Sequence, residues 1–226
     1  MNFSLKILIK GEIFHNRKNS LLLDKAYSLY KNTWSEIFSA TNFSSDSFLR
    51  QDIYILIFDG LTPIGCCAMS QYNFSINVCK DHSYFKSFCN KALDTLDHLK
   101  LDEIFTIELL TVSPEYRGQS CPYNIYNSIL QVLMNLIRDL RIESAIAPTV
   151  NTNNAANGAA FHGVRLTQDI SYKDLSCDLI YMTEQFTPDI RDIGLRDLVN
   201  NQYENFRKQI LKFKKENKHE KFKNVS

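Results

Sequence analysis

Glycine and proline are scarce in this chain, seven and five among 226 residues. That scarcity argues against collagen-like repeats and Gly/Pro-rich disorder. With 44% hydrophobic and 23% charged residues, the composition is that of an ordinary globular protein, not a coiled coil. An excess of one charge is lacking too. Lys and Arg number 26 against 25 Asp and Glu, a formal net charge of +1, so no global field points to nucleic acid or a membrane surface. No apolar run is long enough to span a bilayer, and the opening MNFSLKILIKGEIF is broken by Lys6 and Lys10, unlike a secretory signal. The six cysteines (66, 67, 79, 89, 121 and 177) include no C-x-x-C pair and no metal-ligand spacing with the histidines. The expectation is six reduced thiols, no metal, no stable membrane insertion and a cytoplasmic protein.

What is present is a succession of alternating and helical patterns. FSLKILIK (3–10) reads as a strand, and residues 20–40 as a helix with Ser20 as its N-cap. Residues 52–74 read as a hairpin around Asp59-Gly60 and Pro63, with Cys66 and Cys67 pointing to opposite faces. Residues 83–98 carry one helical stripe, EIFTIELLTV (103–112) is a strand too apolar for a sheet edge, and 123–141 is the strongest helix. ESAIAPTV (143–150) reads as a buried strand, NAANGAAFHGV (154–164) as a short helix or turn, and DLIYMTEQF (178–186) as the closing strand. Strands interleaved with helices imply an α/β fold with a sheet covered on both faces. The expected division is one domain over 1–187 and a basic helical tail over 188–226. FRKQILKFKKENKHEKFK in that tail is either a solvated helix covering part of the core or a docking element for an acidic partner or membrane surface.

The stretch IELLTVSPEYRGQSCP (107–122) joins the apolar strand to the strongest helix. A helix N-terminus offers unpaired N–H groups and partial positive charge, a site for pyrophosphate. Arg117 adds a charge that pairs with phosphate. Ser120 keeps a small side chain and a hydroxyl, while Pro122 subtracts one N–H at the first turn.

LLTVSPEYRGQ resembles the acyl-donor-binding signature of the GNAT acyltransferase superfamily, a strand ending in V-x-P-x-x-R-G-x-G-x-G before a helix. Val112, Pro114, Arg117, Gly118 and Gln119 sit at matching places; Ser120 and Pro122 stand where that family has Gly and Gly or Ala. The likeness covers roughly residues 20–186. Within the superfamily the chain is similar in outline to acyl-homoserine-lactone synthases and N-acyl amino acid synthases, in AYSLYKNTWSEIF and in LDTLDHLKLDEIFTIELLTVSPEYR. The resemblance implies a mixed, largely antiparallel central sheet with helices on both faces and, beyond it, a C-terminal helical extension. It implies an acyltransferase taking acetyl-CoA or another acyl thioester to a small-molecule or peptide amine, with acyl carrier protein as the alternative donor. Leu110 and Val112 would hold the thioester and pantetheine through their backbones; Arg117, Gly118, Gln119, Ser120, Cys121 and Asn154 complete the donor site.

Amine attack on a thioester needs a base, oxyanion donors and an acid. Glu108 lies four residues before Val112, which strand alternation places on the same face. The resemblance makes Glu108 the base, for which burial would have to raise its pKa from about 4.3. The alternative is a strand carboxylate paired with a Lys or Arg. At the position of the family's acid Tyr stands Phe161, so the role passes to His162 or to water, unless His162 is only a helix-end residue. Cys121 reads as a helix-terminal nucleophile or as a small, partly buried thiol. Loops 41–51 and 74–84 would line the acceptor pocket. A non-catalytic domain that keeps only the fold is the rival to the enzyme.

Overall fold

The apolar runs noted above build one seven-stranded sheet. In the structure, a computed structural model, residues 2–13, 15–35, 45–118, 121–151, 155–186 and 189–223 are described, the side chains of the last helix as far as residue 216. The strands are β1 (Phe3–Ile9), β2 (Ile53–Asp59), β3 (Thr62–Asn73), β4 (Glu103–Val112), β5 (Ala145–Val150), β6 (Val164–Tyr172) and β7 (Leu175–Met182). Their order is β1-β2-β3-β4-β5-β7-β6. Every neighbouring pair is antiparallel except β4–β5, which is parallel. A parallel pair needs a crossover, supplied here by α7 (Ile125–Leu140).

One face of the sheet is covered by α7, by α8 (Ala155–Phe161) and by α9 (Ile193–Lys223). The other face carries α1 (Lys10–Ile13), α2 (Arg17–Trp34) and α3 (Ser45–Leu49) at one end. At its other end stand α4 (Asn77–Lys80), α5 (Ser83–Lys86) and α6 (Asn90–His98). The fold is therefore the mixed, largely antiparallel sheet between helical layers, with a C-terminal helix, that was expected. Cys66 enters the α2-side core and Cys67 the α7-side core, as alternation requires. Leu195, Val199, Tyr203 and Ile210 of α9 are buried against α7. There, buried Gln131 donates to Asp189 Oδ1 (2.8 Å) and Asn200 Oδ1 (3.2 Å) and accepts from the Ile190 amide (3.2 Å).

Several local expectations are corrected. Asn16, not Ser20, caps α2: its side chain accepts from the Lys18 and Asn19 amides, while the Ser20 hydroxyl donates to Ile13 O. The expected helix over 20–40 ends at Trp34, and residues 36–44 lie outside the described residues. Residues 83–98 form two helices because Phe88 bridges to Tyr172 and the Cys89 amide donates to Ser171 O, which takes the chain out of helix. The strand β6 was not anticipated; at the sheet edge it buries Thr167 and Ile170 and leaves Val164, Gln168, Asp169 and Ser171 exposed.

Candidate active site

The position of Glu108 follows from a local irregularity of β4. Ala68 pairs with Glu108 and Cys66 with Thr111, so Leu109 and Leu110 together oppose the single residue Cys67. Two residues against one is a β-bulge, and Leu109 adopts φ +60 within it. The bulge overturns the expectation that Glu108 and Val112 share a face. Val112 and Leu110 pack in the α7-side core, whereas Glu108 and Leu109 turn toward the α2 side.

The sheet also opens here. β4 and β5 pair only at Phe105 with Ala145 and Thr106 with Ile146, although β4 runs on to Val112 and β5 to Val150. Both strands stay paired on their outer edges. Their facing edges part beyond Thr106 and leave backbone N–H and C=O groups that a ligand can satisfy.

Glu108 is buried beside this opening. Its Oε2 is ion-paired with Arg50 Nη2, and its Oε1 accepts from Thr106 Oγ1 at 2.8 Å. Of the two readings of this carboxylate, the paired one describes its contacts; a carboxylate oxygen with one partner still has a lone pair to offer. Arg50 also donates to Ser83 Oγ (3.0 Å), and its guanidinium lies 5.6 Å from the Tyr84 ring centre. Segments 45–51 and 77–86 thus both arrive at Glu108.

Tyr30, Tyr72, Tyr84 and Tyr172 surround the pair. Burial, and then the nearby charges including Glu108, push all four phenols up, Tyr72 to about 12. Lys173, at the β6–β7 turn, is pushed down by burial, against the opposing pull of Glu108. Among the described residues two buried polar atoms of this cluster lack a hydrogen-bond partner, Arg50 Nε and Tyr84 Oη.

His162 does not join this cluster. It is buried just beyond α8 and ahead of β6, whose Val164 is level with Tyr181 and, through it, with Ile146 and Thr106. α8 packs on the α7-covered face of the sheet, over β5 and β7, whereas Glu108 turns to the opposite, α2-covered face. Tyr126, on α7, donates its hydroxyl to Ala155 O at 3.0 Å and is pushed up to about 12 by burial.

Along the donor stretch, Ser113 N donates to Ile64 O, Tyr116 Oη to Asp59 Oδ2 (3.0 Å) and Arg117 Nε to Val112 O (3.0 Å). Arg117 is otherwise exposed, and Gly118 takes φ +86, which glycine adopts without strain. The helix starts later than expected. α7 begins at Ile125, capped by Asn124, whose side chain accepts from the Asn127 amide at 3.0 Å. Pro122 and Cys121 therefore precede the helix and do not stand in its first turn; Cys121 packs half-buried against the α7-side core. Gln119, Ser120 and Asn154 lie outside the described residues.

The buried thiols are poor nucleophiles. Burial pushes Cys66 and Cys177 to about 12 and raises Cys67 well above its ordinary value. Alkylation of the folded protein at pH 8 is expected to spare these three while all six react in denaturant; peptide mapping of the label checks this. Among the described residues no group of three or more His, Cys, Asp or Glu is placed to hold a metal ion. No helix among them is long and apolar enough to cross a membrane.

Arg50, Thr106, Tyr84, Tyr172 and Lys173 escaped the sequence reading. Their meeting depends on tertiary approach, and only the concentration of aromatics in 72–88 signals part of it.

No protein-family model matches the chain, and no curated protein matches it. Solved structures do. The acyl-homoserine-lactone synthase LasI superposes with a TM-score of 0.53 at 15% identity, over 80% of this chain and 90% of that one. FeeM, an N-acyl amino acid synthase from uncultured soil microbes, gives 0.53 at 7% identity, over 81% and 91%. BjaI, a CoA-dependent acyl-homoserine lactone synthase solved with SAM and isopentyl-CoA, gives 0.52 at 12% identity over 89% of each chain. At these identities the likeness establishes the fold, which is that of the GNAT acyltransferases and their acyl-synthase relatives.

Proposed function

We propose that this protein is an N-acyltransferase that moves an acyl group from a thioester to an amine in the gap between β4 and β5, with Glu108 as base. The observation that carries this reading is the parting of the two parallel strands beyond Thr106, with a bulge and a buried carboxylate at its mouth. Extended backbone edges there can pair with the amides of a pantetheine arm as a strand would. The amine nitrogen bonds to the carbonyl carbon, and the carbon–sulfur bond breaks with its electrons on sulfur. One ammonium proton passes to Glu108, directly or through water; the second leaves the nitrogen as the tetrahedral intermediate collapses and passes through water to the thiolate. Water, not His162, carries that proton to sulfur, because His162 follows α8 on the opposite face of the sheet from Glu108.

Coenzyme A is the first donor to test, since BjaI was solved with isopentyl-CoA; acyl carrier protein is the second. A coenzyme A or carrier-protein donor supports a cytoplasmic location. A finer reading concerns the acceptor. Arg50 is ion-paired with Glu108 and its Nε has no partner, while Lys173 lies over the Tyr172 ring that packs on Tyr84 and adds a second cation to the cluster. That surplus suits an amine that also bears a carboxylate, an amino acid or a close relative.

The test is native mass spectrometry and thermal shift with acetyl-CoA, long-chain acyl-CoA and acylated carrier protein. A bound donor stabilises by mass action and the stabilising class identifies the donor. If none binds at saturating concentration, the chain is a non-catalytic domain of the same fold. Arg117→Ala is expected to raise the donor KM about tenfold with kcat little changed, because its contact with phosphate is the same in ground and transition states; steady-state kinetics over donor concentration check this.

A further inference from the structure

The φ of +60 at Leu109 is an outlier for a leucine in a buried strand, a strained conformation that persists only where neighbours impose it. Thr111 Oγ1 donates to Leu109 O at 2.9 Å, and Trp34 Nε1 donates to Thr111 Oγ1 at 2.8 Å. The Cys66 thiol reaches the same carbonyl at 3.7 Å from β3. An indole N–H is a donor only, so the Thr111 hydroxyl must accept from it and has its one proton left for Leu109 O. The indole therefore decides which way the hydroxyl points.

In a trans peptide the C=O and N–H point in opposite directions. With the Leu109 carbonyl drawn toward Cys66 and Trp34 on the α2 side, the Leu110 N–H is turned away from those groups, and beyond Thr106 β4 has no β5 partner to take it.

We propose that Trp34 and Thr111 are positioning residues: a latch from the last residue of α2 that fixes the Leu109 carbonyl and so aims the Leu110 amide at the carbonyl oxygen of a thioester. This rests on the thioester reading of the gap. The latch touches neither donor nor acceptor, and it makes the aim of the amide depend on where the end of α2 lies.

The experiment uses Trp34→Phe, Thr111→Val and Thr111→Ser, with acyl-CoA labelled with 13C at the thioester carbonyl. In the wild type the bound carbonyl resonance should move downfield. In Trp34→Phe and Thr111→Val the donor should bind within about threefold by calorimetry, while the downfield shift is lost and kcat falls about tenfold, less than the loss on deleting an oxyanion donor outright. Thr111→Ser, which keeps the hydroxyl, should restore both. An unchanged carbonyl shift in Trp34→Phe and Thr111→Val overturns the latch. A crystal structure of Trp34→Phe separates this failure from that of the donor reading. If Leu109 keeps its φ and carbonyl direction there, the latch is wrong whatever binds. If the carbonyl turns while the wild type binds no thioester, the latch stands and the donor reading falls.

Discussion

Glu108→Gln is expected to lower amine-dependent thiol release by about a hundredfold or more, the usual contribution of a positioned base, with the donor KM within about twofold of wild type. Glutamine keeps the length and one carbonyl oxygen of glutamate, so it can still accept from Arg50, and its amide can face Thr106, whose hydroxyl both donates and accepts. The fold should survive, and the measured loss reports proton acceptance. On the proposed reading the pantetheine arm pairs with the backbone beyond the bulge, not with the carboxylate, so KM for the donor should be insulated from the change. A Gln variant with wild-type turnover across pH would remove Glu108 from the chemistry and leave it as the structural partner of Arg50.

The difference between those outcomes was only half legible in the sequence. The apolar run of 103–112 marks a central strand, and the Val-x-Pro-x-x-Arg-Gly spacing after it marks the turn toward the helix. Both rest on local signals that survive folding. The bulge does not announce itself: left-handed backbone normally asks for Gly or Asn, and a leucine occupies it because Thr111 and Trp34 hold it. One such residue reverses the facing of all that follow, which is why Val112 and Glu108 end on opposite sides. The edge strand β6 was missed for a related reason, since a strand half exposed and half buried at a sheet edge lacks the apolar run that identifies β4 and β2. Arg50 meets Glu108 across 58 positions of chain, and no periodicity encodes a contact of that range. The separation of His162 from Glu108 likewise follows from layering, since α8 covers the α7 side of the sheet while Glu108 turns to the α2 side.

Arg50→Met should lower the unfolding free energy by about 3 kcal/mol, at the low end of what breaking a buried ion pair costs, and the melting temperature by roughly 6–12 °C for a chain of this size. The Glu108 side chain is 4% exposed and that of Arg50 16%. Removing the guanidinium therefore leaves a carboxylate in a low-dielectric setting with Thr106 as its remaining donor, and removes the Ser83 hydrogen bond and the contact with Tyr84. Much of the loss is the stranded charge, not the pair itself, and the double variant Arg50→Met/Glu108→Leu should recover most of it. Replacing a buried pair by apolar groups of like volume is often neutral or stabilising, and the buried Tyr84 ring beside it offers surface to pack against. Chemical denaturation of the wild type, both single variants and the double variant closes the cycle and gives the coupling energy. A coupling near zero would mean the pair contributes no more than an exposed salt bridge. A double variant that regains stability but has no turnover would show that the pair is kept at a cost to the fold. That is the pattern expected when a charge is buried for the reaction it serves and not for the core it sits in.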